Sequence, residues 1–468
     1  MAPSCEIGVI GLGVMGRNLL LNMADHGHVV AGFDRNPDQV KFLGRESGGN
    51  EAVKGATDVR SFAALLKRPR KVLLLVPAGD AVDSVIREIL LHVAEGDLLI
   101  DAGNSHFRDT ERRARELAPS GIRYLGVGVS GGEEGARHGA SIMPGGPRDA
   151  YESVKGVLED AAARADGEVC IAYLGPGSAG HYVKMVHNGI EYGLMQLIAE
   201  TYDLMKRGLG LASGELAPVY DRWNRGEISA FLVESAARVL GRLDERTGRP
   251  LVDLILDTAE QKGTGTWTSQ DAMDLHVPVP TIDAAVAMRN LSGLKALRVE
   301  AERALAAPQR TFRGDRERFV ERIGGALLGA MILTYAQGMA QLGKASQVYG
   351  YGLSLADVAR IWQGGCIIRS ALLKGIRKAY ERKADLPSLL LDPGLGRELE
   401  SRQEELRAVV QTAAGMSIPV PAMMASLAYL DGLRSGRLPA NLVQAQRDQF
   451  GAHTYERVDQ AGKFHTRW

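Results

Sequence analysis

Two halves of different character are predicted: an α/β domain built on a parallel sheet, then a large all-helical domain with a tail behind it. Three observations carry this. Over roughly the first third of the 468 residues, short apolar runs rich in β-branched residues alternate with helical stretches. A glycine-rich turn, Gly11-Leu12-Gly13-Val14-Met15-Gly16, directly follows the first of those runs. Strand signals then fade, and long periodic stretches continue from about residue 180 to 435. The expected boundaries are 1–178 for the α/β domain, 179–435 for the helical domain and 436–468 for the tail.

Composition narrows the function classes. Hydrophobic residues make up 45% and charged residues 24%, as in a soluble chain with a large core. Lys plus Arg and Asp plus Glu are equal at 56 each, so no global charge favours nucleic acid or an anionic membrane. The three cysteines, Cys5, Cys170 and Cys366, lie far apart without metal-ligand spacing, which predicts a reduced, cytoplasmic protein. No apolar run is read as long enough for a membrane span, and no signal peptide is read before the first strand.

In chain order, Glu6-Ile7-Gly8-Val9-Ile10 reads as a strand, the glycine turn follows, and Asn18 to Ala24 reads as helix. His28 to Phe33 is a second strand ending at Asp34, about 20 residues beyond the glycines. A lone GxGxxG is weak evidence. With a strand before it, a helix after it and an acidic residue at that distance, it is a dinucleotide fingerprint of the Rossmann type. Asp34 and Arg35 pull in opposite directions: a carboxylate suits the ribose 2′-OH of NAD, whereas a guanidinium suits the 2′-phosphate of NADP. Further strands are expected at 71–76, 97–101 and 123–128. They lead into the turns after Val76, at Asn104, and at Ser130-Gly131-Gly132, all at the carboxyl ends of strands, where such sheets bind ligands.

The stretch from Gly180 to Gly193 organises the helical half. As a helix it places Lys184, His187, Asn188, Glu191 and Tyr192 on one face, with Met185, Val186, Ile190 and Leu197 opposite. Lys184 and Glu191 lie two turns apart, about 10 Å along the axis. That suits a base and an acid working on opposite ends of a small molecule. His187 and Glu191 share i, i+4 spacing, but Lys184 opposes a cation there, so no metal is expected.

Downstream, Gln261 to Trp267 joins Lys262 to glycines and threonines, and Arg289 follows on the next helix; together they suit a phosphate oxyanion. A weak repeat pairs Trp223, Gly226 and Ile228 with Trp362, Gly365 and Ile367, which predicts a duplicated helical unit whose second copy is mostly scaffold. The tail carries Arg447 and His453 in a non-repetitive segment, and is expected to be tied down, into another subunit.

These motifs together resemble the 6-phosphogluconate dehydrogenase family over essentially the whole chain. The resemblance rests on GLGVMGRNL at 11–19, VSGGEEGA at 129–136, SIMPGG at 141–146, GHYVKMVHNGIEYG at 180–193, KGTGTWT at 262–268, GGCIIRS at 364–370 and QAQRDQFGAHTYE at 444–456. It implies oxidative decarboxylation of 6-phosphogluconate to ribulose 5-phosphate in the pentose phosphate pathway, with Lys184 as general base and Glu191 as general acid. Substrate contacts are implied for Asn104, Ser130, Gly131, Gly132, His187, Asn188, Tyr192, Lys262 and Arg289. Arg447 and His453 are implied to reach the partner's site in a homodimer that exchanges tails. Dinucleotide contacts are implied for Gly11, Leu12, Gly13, Val14, Met15, Gly16, Asp34, Arg35, Asn36, Val76, Pro77, Ala78 and Asn104.

The chain departs from the family pattern at Asp34, where Asn is usual, and at Pro77, where Lys is usual. Both changes make the adenosine end less positive, so the implied cofactor is NADP with NAD left open. Thr266 replaces a Lys and Gln449 a Tyr, away from the chemistry. A 3-hydroxyisobutyrate-type dehydrogenase would share the Rossmann half and the Lys/Asn helix, but not the phosphate cations or the duplicated helical domain. A non-catalytic relative would have lost Lys184 or Glu191.

Overall fold

The computed structural model describes residues 4–306 and 311–468. Seven strands form the main sheet: β1 (Ile7–Ile10), β2 (Val30–Phe33), β3 (Val53–Ala56), β4 (Lys71–Leu74), β5 (Leu98–Asp101), β6 (Arg123–Ser130) and β7 (Ser141–Gly145). Their order is β3-β2-β1-β4-β5-β6-β7, parallel through β6, and β7 runs antiparallel along β6. β3 and β7 were not among the expected strands. β3 has only one buried residue, and β7 is interrupted by Pro144 and Gly145, so neither presents a continuous apolar run.

Strand order reverses between β1 and β4. Their carboxyl ends open the crevice where ligands of such sheets bind, lined by the Gly11 turn and the turn after Val76. One apolar cluster built around Leu19, Leu20 and Ile100 covers one face of the sheet; another, around Phe62, Val85 and Ile89, covers the other.

The helix Ala179–Asp203 lies centrally and packs on β6 and β7 as well as on later helices. The approach is close: a Cβ on Gly128 of β6 would stand 2.4 Å from Lys184 Cβ. Glycine there lets the strand and the helix carrying Lys184 meet backbone to side chain. The expected continuation to about 206 is a π-helical turn, Leu204–Gly208.

The long helix Arg316–Tyr349 corrects the expectation on apolar runs. By length and composition it could cross a bilayer, yet 89% of its most apolar window is buried within the fold. It is the core helix of the second half, packing against Pro393–Gly415 and against Ala179–Asp203. The two repeat copies meet directly: Ala230 bridges Ser370, with Phe231 N donating to Arg369 O (3.0 Å) and Ala371 N donating to Ser229 O (2.8 Å).

Candidate active site

Asn188 is the hub of the site. Lys184 Nζ donates to Asn188 Oδ1 at 2.8 Å, one turn along the same helix, and His187 Nδ1 meets the same oxygen at 3.0 Å. An amide oxygen only accepts, so the His187 proton sits on Nδ1 and Nε2 accepts from Ser130 Oγ, 3.2 Å away. On the other side, Asn188 Nδ2 donates to Thr264 Oγ1 at 3.2 Å. One chain of bonds thus runs from the end of β6 through the central helix to the glycine-rich loop that begins at Lys262.

The cluster is dry. Lys184 is 6% exposed and His187 fully buried. Burial pushes the Lys184 ammonium below its usual range, opposed by the negative charge of Glu191. Burial also holds His187 well below its usual value, and the positive charge of Lys184 adds to this, so His187 is neutral. Burial moves Glu191 the other way, upward, against the pull of Lys184 and Arg289. A lysine poised towards its free amine and a carboxyl poised towards its acid form therefore share one helix. This pairing suits proton abstraction at one end of a molecule and proton delivery at the other.

Beyond Glu191, the Arg289 guanidinium lies 3.5 Å from the centroid of the Tyr192 ring, and Lys262 stands exposed two residues before Thr264. The second repeat copy contributes more than the scaffold expected of it. The Trp362 ring meets His187 edge-on at 5.6 Å, and the buried Cys366 thiol lies within electrostatic reach of Lys184. Burial pushes that thiol up to about 12, so it is an apolar wall rather than a nucleophile. Trp362 and Cys366 were missed as site residues, although each sits in a glycine-containing segment that the sequence displays. The Thr264 hydroxyl, expected to serve a phosphate, accepts from Asn188.

Arg447 and His453 are not brought to this cluster within the chain. Arg447 is exposed with Gln444 as its hydrogen-bond partner, and His453 stands exposed beside Phe450.

At the sheet crevice, Gly11 has φ +96°, and a Cβ on Gly16 would fall 1.9 Å from Gly11 O, so the turn is as tight as the motif requires. The following helix, Val14–Asp25, starts inside the motif rather than at Asn18. It is capped by Gly13 with no side chain on its amides and no acid in its first turn. A Cβ at Gly13 would meet nothing within 4 Å. Free amides, a positive helix end and open space fit a pyrophosphate.

Asp34 is already engaged: Oδ2 accepts from Leu12 N at 2.7 Å and Oδ1 from Asn36 N at 2.8 Å. Arg35 turns to Glu88 (2.7 Å) and Ser84 (3.0 Å). Val76, Pro77 and Ala78 follow β4, and Asn104 stands exposed after β5. Both turns hang on buried Arg113, which donates to Gly79 O (3.0 Å) and to Asp101 Oδ2 (3.3 Å).

Residues 6–175 match the family described as the NAD binding domain of 6-phosphogluconate dehydrogenase, and residues 180–468 match its C-terminal domain. The chain is 49% identical over 464 residues to the NADP(+)-dependent, decarboxylating 6-phosphogluconate dehydrogenase of Bacillus subtilis, covering 99% of both. It is 48% identical over 464 residues to the decarboxylating enzyme of Salmonella typhimurium, again covering 99% of each. Among solved structures it is similar to Plasmodium falciparum 6-phosphogluconate dehydrogenase, determined in its apo form and in complexes with NADP+ and with 6-phosphogluconate. The TM-score is 0.95 and the identity 43%, over 99% of this chain and 100% of that one.

Proposed function

The chain belongs to the 6-phosphogluconate dehydrogenase family, and from that premise we propose how its residues carry out the oxidative decarboxylation of 6-phospho-D-gluconate to D-ribulose 5-phosphate and CO2. The observation that carries the reading is the buried Lys184, aimed by Asn188 and sharing its helix with the raised carboxyl of Glu191.

Lys184, neutral when substrate binds, accepts the proton of the C3 hydroxyl. Bound NADP supplies the acceptor for the C3 hydride. The resulting 3-keto acid loses CO2, because its new carbonyl takes up the electrons. Lys184, now an ammonium, donates to the developing enolate oxygen. Glu191 protonates C1 of the enediol while the C2 hydroxyl returns its proton to the Lys184 amine, leaving the C2 ketone of ribulose 5-phosphate. Ser130, Gly131, Gly132, His187 and Asn188 orient the sugar acid, and Lys262, Arg289 and Tyr192 face its phosphate. The dinucleotide is held by the turn from Gly11 to Gly16, by Arg35, by the turn from Val76 to Ala78 and by Asn104.

Units 1–178, 179–435 and 436–468 divide the work into nucleotide binding, chemistry and assembly. The tail of one subunit brings Arg447 and His453 to the site of a second copy, making the working unit a cytoplasmic homodimer. Initial rates with 6-phosphogluconate and saturating NADP or NAD test the cofactor reading. A preference for NADP supports Arg35 as the discriminator; a preference for NAD gives that role to Asp34.

A further inference from the structure

The tail is exposed along most of its length, yet it contains one carboxylate with no solvent contact at all. Asp448, next to Arg447 on the helix Ala440–Gly451, is 0% exposed. Four donors converge on it: Thr454 N (3.0 Å) and His465 Nδ1 (2.9 Å) on Oδ1, with Thr466 N (3.0 Å) and Trp468 Nε1 (3.0 Å) on Oδ2. Burial raises its pKa, but the donors outweigh that and hold the carboxyl at about 2. The helix, the hairpin of Tyr455–Glu456 with Lys463–Phe464 and the last residues are thereby gathered on one charge.

The segment that carries His453 is strained in a way this charge explains. Ala452 and Thr454, on either side of His453, both have positive φ (+49° and +59°), which non-glycine residues adopt only when held. Thr454 N is one of the four donors, and Thr454 O accepts from Gln444 Nε2 at 2.5 Å. Gln444 Oε1 in turn accepts from Arg447 Nη1 at 3.0 Å. The two residues assigned to substrate, Arg447 and His453, are thus linked through Gln444, Thr454 and Asp448.

We infer that Asp448 is a positioning residue: its carboxylate fixes the tail in the one shape that presents Arg447 and His453 together to the substrate bound by a second copy of the chain. The inference rests on the tail exchange given above. It goes further in assigning the preorganisation of the tail to a single buried group.

The test uses the full-length protein. Asp448→Asn keeps the size but turns one acceptor into a donor facing other donors. It is expected to raise KM for 6-phosphogluconate at least tenfold, with a smaller change in kcat and KM for NADP within twofold of the parent. Trp468→Phe removes one donor while leaving the carboxylate, and is expected to raise the same KM less; this keeps the inference testable if Asp448→Asn folds poorly.

A purely structural role would lower thermal stability without that split between KM and kcat. In the double variant Arg447→Ala/Asp448→Asn, the two KM effects are expected to combine to clearly less than their product, because Asp448 acts in part through Arg447 and in part through His453. Fully multiplicative effects, or an unchanged KM in Asp448→Asn, overturn the inference. If Arg447→Ala itself leaves KM unchanged, the tail-exchange reading fails and takes the inference with it. If Arg447→Ala raises KM and Asp448→Asn does not, the inference alone fails.

Discussion

Lys184 Nζ and Asn188 Oδ1 stand 2.8 Å apart on successive turns of one buried helix, and this bond aims the base. An accepting oxygen favours the ammonium form, so its loss lowers the pKa of Lys184 further. Asn188→Ala should therefore shift the acid limb of the kcat/KM profile to lower pH, while misplacement of the amine cuts kcat by about 100-fold. Asn188→Asp places a negative charge on the same spot and should move that limb to higher pH. A pH–rate series on the two variants reads both signs.

Arg35 is held by Glu88 at 2.7 Å, on the exposed rim of the cofactor crevice. An exposed pair of this kind is worth about 0.2–1 kcal/mol. Glu88→Gln frees the guanidinium for a 2′-phosphate and should lower KM for NADP by up to about fivefold. KM for NAD, which lacks that phosphate, should not move. Asp34→Asn removes a negative charge from the same end and should act in the same direction.

Arg113 is 1% exposed and joins Asp101, itself 0% exposed, to Asp83 and to Gly79 O. Arg113→Met leaves the Asp101 charge buried without its cation, a change that costs about 3–5 kcal/mol in comparable pairs. Chemical denaturation should show that loss. KM for NADP should rise too, because Arg113 ties the turns after β4 and β5.

Glu200, near the end of the central helix, accepts from the backbone amides of Ala422 (2.8 Å) and Met423 (2.9 Å). Burial raises its carboxyl to about 7, against the lowering effect of those amides and of Gln196. Between the ordinary value of 4.5 and about 7, the native state keeps a proton that the unfolded state has lost. Stability from this group is therefore fully present below pH 4.5 and falls as pH rises through 7, by on the order of 3 kcal/mol. In Glu200→Gln that slope should vanish from a series of melts between pH 5 and 8; a slope equal to that of the parent would contradict the assignment.

Much of this was legible in the residues because it rests on local rules. The strand, glycine turn and helix at 7–25 follow from backbone geometry, and the face of Lys184, His187, Asn188, Glu191 and Tyr192 follows from helical periodicity. What was not legible depends on contacts distant in sequence. β3 lacks an apolar run because it lies at the sheet edge. Trp362 and Cys366 reach His187 and Lys184 only because the two repeat copies fold against each other. The engagement of Asp34 by Leu12 N and of Arg35 by Glu88 takes the opposed pair out of the simple contest that their adjacency suggests. Burial of the helix Arg316–Tyr349 likewise becomes visible only once its neighbours are placed.

The central claim is that Lys184 is the base of an oxidation coupled to decarboxylation. It is tested most directly by measuring NADPH, CO2 and ribulose 5-phosphate from 6-phosphogluconate with the parent chain and with Lys184→Ala, alongside NADP binding by calorimetry. The account predicts equal amounts of the three products from the parent, and turnover reduced by about 100- to 10,000-fold in the variant with NADP binding unchanged. Turnover that survives Lys184→Ala with intact stoichiometry would contradict it.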